Sequence, residues 1–132
     1  ILKAIHNFTA SSGNTFNLAL YTSSATLNKS TTAYSSSNEI SNTSGSAYSA
    51  KGLALTSVTP VLSSDTAVCD FANISWSSAS FTARGCLIFN DTASGDPSVC
   101  AIDFGGDKTV TSGTFTIEFP AASAGSAIIG IA

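Results

Sequence analysis

Apolar and polar residues alternate with period two at several places along the chain. "TFNLALY" sets Phe16, Leu18 and Leu20 on one side, "AVCDFANISW" does the same with Cys69 and Phe71, and "GTFTIEF" sets Phe115, Ile117 and Phe119 opposite Thr116 and Glu118. Side chains of a strand point alternately to its two faces, so this pattern in β-branched and aromatic residues predicts half-buried strands. No stretch keeps a helical period between helix caps. Turn-forming clusters punctuate the strands at Ser11 to Asn14, Ser63 to Asp65, Asn90 to Pro97, Gly105 to Asp107 and Ser112 to Gly113. Strands of about five to eight residues at this spacing predict an all-β fold. Within that class the pattern points to an antiparallel β-sandwich, jelly-roll-like or Greek-key, formed by one domain over residues 1–132 with Ile1–Thr9 as a lead-in segment. Asn28 to Gly52 interrupts the pattern as one long Ser/Thr-rich loop, which a compact domain keeps only for function or under outside support. A short helical turn is expected within it at Ser37 to Ile40, capped by Ser36 or Ser37.

The segment "ARGCLIFNDTASGDPSVCAIDFGG" reads as a hairpin with an unusual property. Arg84, Cys86 and Ile88 point one way and Gly85, Leu87 and Phe89 the other; on the return strand Cys100, Ile102 and Phe104 alternate with Val99, Ala101 and Asp103. Both faces are therefore apolar, whereas an antiparallel sheet commonly gives one face to water. Leaving Leu87 and Phe89 uncovered forgoes about 1.5 to 3 kcal/mol of burial each and makes an adhesive patch. The cover is expected from two sources together, the Asn28 to Gly52 excursion and a neighbouring subunit, because the excursion has few large apolar groups beyond Tyr34, Ile40 and Tyr48. The run "GSAIIGIA" is also double-faced, since Ile128 and Ile129 cannot both face one core in a regular strand. Interface residues are accordingly expected at Leu87, Phe89, Val99, Ile128, Ile129 and Ile131, in a homo-oligomer.

Composition narrows the classes of function. Charged residues are 10% of the chain, the net charge is −3, and the five Lys and Arg are scattered singly. No basic stripe exists to neutralise phosphates, so nucleic acid is not an expected partner. Ser and Thr make up roughly 30% of the residues, well above their usual share, so solubility rests on hydroxyls more than on charge. No apolar run approaches the roughly 18 residues of a membrane span, and no charged-then-apolar leader opens the sequence. Cys69, Cys86 and Cys100 each fall in an apolar run without a C-x-x-C spacing and read as small buried hydrophobes, reduced as in a cytoplasm.

Catalytic chemistry finds little footing. His6 is the single histidine, so a Ser/His or Cys/His pair can be built around no other residue, and it reads as structural. "DFG" at Asp103 to Gly105 lacks the other motifs of a kinase. Asp91 and Asp96 in "NDTASGDP" share a Gly-containing loop that would suit calcium, but the spacing is not that of an EF-hand and the residues are ordinary turn formers. The N-x-[ST] triplets at Asn7, Asn28, Asn42, Asn73 and Asn90 follow from the abundance of hydroxyl residues. The expectation is no enzyme, no cofactor and no metal.

Nearly the whole chain resembles a known group. "LALYTSSATL", "TTAYSSSNEIS", "ISWSSASFTARG" and "DFGGDKTVTSGTFTIEFP", with "ILKAIHNFT" ahead of them, are similar to small virion structural proteins of tailed bacteriophages, of the capsid decoration or cement type. The resemblance implies a native N-terminus longer than Ile1. It also implies a homotrimer on the outer surface of the virion, assembled in the host cytoplasm, that stabilises the expanded head by bridging capsomers of the major capsid protein. Lys51 departs from it, standing where a second small residue is expected before Gly52, as do Cys86 and Cys100 at apolar positions. The alternative from another class is a tail or head-fibre module that binds host-surface glycans, with Tyr34, Tyr48 and Trp76 stacking on sugar rings. A secreted bacterial adhesin domain is the third reading.

Overall fold

Among the described residues seven strands form two antiparallel sheets, as the alternation predicts. The structure is a computed structural model that describes residues 5–43 and 45–131; Ile1 to Ala4 of the predicted lead-in lie outside the described residues. The strands are β1 (Phe16–Tyr21), β2 (Leu53–Leu55), β3 (Ser57–Ser63), β4 (Thr66–Phe71), β5 (Ile74–Asn90), β6 (Ser98–Ile117) and β7 (Ile129–Ile131). One sheet has the order β2-β1-β5-β6 and the other β3-β4-β7. Neighbours such as β1 with β5 and β4 with β7 are distant in sequence, because the chain changes sheet after β2, β4 and β6. The sheets pack face to face as a β-sandwich.

The sandwich core takes the even-numbered residues of β1, Phe16, Leu18 and Leu20, and from β5 Trp76, Ala79, Phe81, Ala83, Cys86 and Ile88. Phe71 of β4 closes it from the second sheet, with Phe8 of the lead-in stacked on Phe16 at 4.6 Å between ring centroids. Asn90, fully buried at the end of β5, ties that lead-in down. Its Nδ2 donates to the Ile5 carbonyl and Asn14 Oδ1, and its Oδ1 accepts from the backbone N–H groups of Thr92 and Ala93. A buried amide with all its bonding directions used costs little and fixes one geometry.

Two expected turns are absent as chain reversals. Gly105 to Asp107 and Ser112 to Gly113 lie inside β6, which runs 20 residues beside the 17 of β5. The register shows what they do instead: Ala83 faces Lys108 while Gly85 faces Asp103, so extra residues of β6 bulge out between them. Gly105 (φ +77°) supplies a positive φ there, and Ser78 (φ +51°) and Ser112 (φ +47°) do so at the register shifts around Ala79. Bulges bend a ladder without ending it. The expected helical turn at Ser37 to Ile40 is a plain turn in which Glu39 bridges to Tyr21.

Candidate functional site

The two faces of the four-stranded sheet are covered by different means. β1 pairs with β5 only over Gly85–Asn90, and there the outer face carries Ala19, Tyr21, Leu87 and Phe89. Tyr34 of the excursion, Ala25 and Leu27 of the segment just before it and Ala101 of β6 pack over them, with the Tyr34 ring stacked on Phe89 at 4.7 Å. Leu87 and Phe89 are thereby 1% and 0% exposed within a single chain. This corrects the expectation that they lie at a subunit interface and need a second source of cover: Tyr34 of the excursion, joined by Leu27, Ala25 and Ala101, suffices. Ile40 and Tyr48 go the other way, into the sandwich core.

Glu39 holds the excursion in place. Its Oε2 accepts from the Tyr34 hydroxyl at 2.6 Å, and its Oε1 from the Tyr48 hydroxyl at 2.6 Å and the Lys51 backbone N–H at 2.7 Å. The Tyr48 oxygen accepts in turn from the Leu20 N–H at 2.9 Å, so one carboxylate links three points of the excursion to β1. Burial, and after it the bond to Glu39, pushes the Tyr34 and Tyr48 phenols well above their ordinary range. Burial, followed by the charge of Glu39, pushes Tyr21 up to about 12. These phenols stay protonated and serve as donors.

Lys51 closes the loop between β5 and β6. Its Nζ lies 2.7 Å from Asp91 Oδ1 and 2.9 Å from Asp96 Oδ2, and 5.6 Å from the centroid of the Tyr34 ring. The two aspartates of "NDTASGDP" do converge, on an ammonium group of the same chain. The hydrogen bonds that the ammonium donates to both carboxylates raise the Lys51 pKa. Lys51 (φ +69°) and Gly52 (φ +69°) turn the excursion back into β2, and a side chain at Gly52 would overlap the Leu18 carbonyl.

The remaining assignments divide. Tyr48 and Trp76, expected to stack on sugars, are core residues 6.1 Å apart, 1% and 3% exposed, so with Tyr34 they form no surface platform. Val99, Ile128 and Ile129 are half-buried, and Ile131 is 48% exposed. Leu62, absent from the expected interface residues, is the most exposed large apolar side chain among the described residues, at 74%. Register pairs join Leu62 to Ala67 and Ala67 to Ile131, an apolar row across all three strands of the smaller sheet. Val58 and Val61 of β3 are also exposed. The signal lies in "SVTPVLS", where Pro60 marks an edge strand and the adjacent pair Val61-Leu62 must send one apolar side chain to each face.

His6 Nδ1 faces the Asn90 amide at 3.2 Å, and burial lowers its pKa. The three cysteines are free, and burial raises the pKa of each, which disfavours the reactive thiolate. Among the described residues no three His, Cys, Asp or Glu are placed to share a metal ion. No protein-family model, curated protein or solved structure matches the chain.

Proposed function

We propose that this chain is a non-enzymatic structural protein of a tailed-phage virion, a decoration protein that stabilises the expanded head as a homotrimer bridging capsomers of the major capsid protein. The observation that carries the reading is the apolar row Leu62–Ala67–Ile131, at the free end of the smaller sheet. Isolated exposed apolar residues are ordinary, but a row across three strands is the kind of patch that marks an association surface. With Leu87 and Phe89 covered from within, this end replaces them as the interface. A protein that binds only the assembled lattice stabilises it by mass action, and many copies multiply the effect.

A cryo-EM map of the particle carrying the chain tests the proposal. The expected result is density in threefold clusters over capsomer junctions, with Leu62 and Ile131 covered by a sister subunit or the shell. Density confined to the tail or to a projecting fibre overturns it. In solution, light scattering of the wild type against Leu62→Asp/Ile131→Asp is expected to show the double variant with a smaller oligomer mass.

A further inference from the structure

We infer that the outer face of the four-stranded sheet holds a binding site for an acidic sugar, in the groove between the excursion and the start of β6. The groove has a volume of about 440 Å³, within the range of small-ligand sites of roughly 300 to 1,000 Å³. Its lining includes Gly85 and Ala101, whose small size leaves the space open, together with Leu27, Lys29, Arg84 and Asp103.

Charge and chemistry select the ligand. The chain is acidic overall, yet two of its five cations, Lys29 and Arg84, line this one groove. Among the described residues Lys29 has no carboxylate partner, since the ion pairs are Lys51 with Asp91 and Asp96, and Arg84 with Asp103. Asp103 takes the Nε–H of Arg84 at 3.0 Å, so the terminal nitrogens of the guanidinium keep their donors. Asp103 repels any anion, but a sulfate has no donor to offer it, whereas the hydroxyls of a sugar acid offset that repulsion by donating to it. A sugar acid uses both signs, its carboxylate on Lys29 and the guanidinium, its hydroxyls donating to Asp103, and its C–H face on Ala101 and Leu27. The site is independent of the virion reading and of the displaced tyrosine and tryptophan platform.

The test is an NMR titration of the isotope-labelled full chain with digalacturonate, with lactose and sodium sulfate run in parallel. Saturable shifts centred on Lys29 and on residues 98–103 are expected with digalacturonate, with affinity at least tenfold above that for lactose. Lys29→Glu, an exposed position that leaves the fold unchanged, is expected to weaken binding at least tenfold, and Ala101→Trp to abolish it by filling the groove. If Ala101→Trp does not fold, Lys29→Glu decides alone. No saturable shifts at these residues, equal binding of lactose, or full reproduction of the shifts by sulfate would each overturn the inference.

Discussion

The inner and outer faces of the four-stranded sheet bury the same kinds of side chain under different roofs. Leu18 on the inner face and Leu87 on the outer face are paired with adjacent positions of β5 and β1, and both are essentially inaccessible to water. Leu18 is wedged between two sheets, whereas Leu87 lies beneath an excursion held by one carboxylate and a few hydrogen bonds. Burial alone therefore does not rank their contributions. The cost of deleting a buried side chain depends on how far the surroundings can settle into the space, and a loop settles more readily than a sheet.

The largest expected effect sharpens that contrast directly. Leu18→Ala should cost about 4 to 5 kcal/mol and Leu87→Ala about 2 to 3 kcal/mol, measured by denaturant unfolding. Equal costs would mean that the excursion is as rigid as the second sheet, and the distinction between the roofs would fail. Glu39→Ala comes next, at about 2 kcal/mol, because it leaves the buried Tyr48 hydroxyl without its acceptor. Hydrogen exchange should then speed up across residues 34–48 while β5 amides at Cys86 and Ile88 stay protected. Uniform acceleration would show that the excursion and the core open as one unit.

Alkaline pH probes the same roof more gently. Tyr21 is pushed up to about 12, so the folded state keeps a proton that the unfolded chain releases near the ordinary pKa of 10. Its stabilising contribution is complete below pH 10 and is lost as the pH rises towards 12. Cys100, held at about 11 by burial, adds a change of the same sign from the inner face. Tyr21→Phe should therefore flatten, without abolishing, the alkaline fall of the unfolding midpoint; an unchanged slope would exclude Tyr21 as a source. The smallest effect is expected at Lys51. Its partners are part-exposed, so Lys51→Ala should cost less than about 1 kcal/mol, and still less at high salt. A larger loss would show that its packing over Tyr34 holds the outer cover.

The β5–β6 hairpin explains why some of this could be read in advance. Past Ala83 it outruns β1, and its outer face turns to exposed hydroxyl residues, Ser75, Ser77, Ser80 and Thr82 opposite a stretch with Thr109, Thr111, Thr114 and Thr116. The inner face keeps Trp76, Ala79, Phe81 and Ala83. Double-sided apolar character is thus confined to the half that has a roof, and the sequence marks that half correctly. It does not mark the roof itself, because Ala25, Leu27 and Tyr34 form no periodic pattern. Nor does it tell Tyr34, bound for the outer face, from Tyr48, bound for the core.

Local chemistry by itself determined the all-β class, the strand faces and the positions where the backbone needs turn-forming residues. These depend on side-chain alternation and on φ preferences, both of which act within a few residues. Only the tertiary structure decided that Gly105 to Asp107 is a bulge and not a reversal, that Asp91 and Asp96 close on Lys51, and that Glu39 binds two tyrosines. Each depends on segments far apart in sequence meeting in space. The same holds for the surface: Leu62 and Ile131 become one apolar row only because β4 brings them into register.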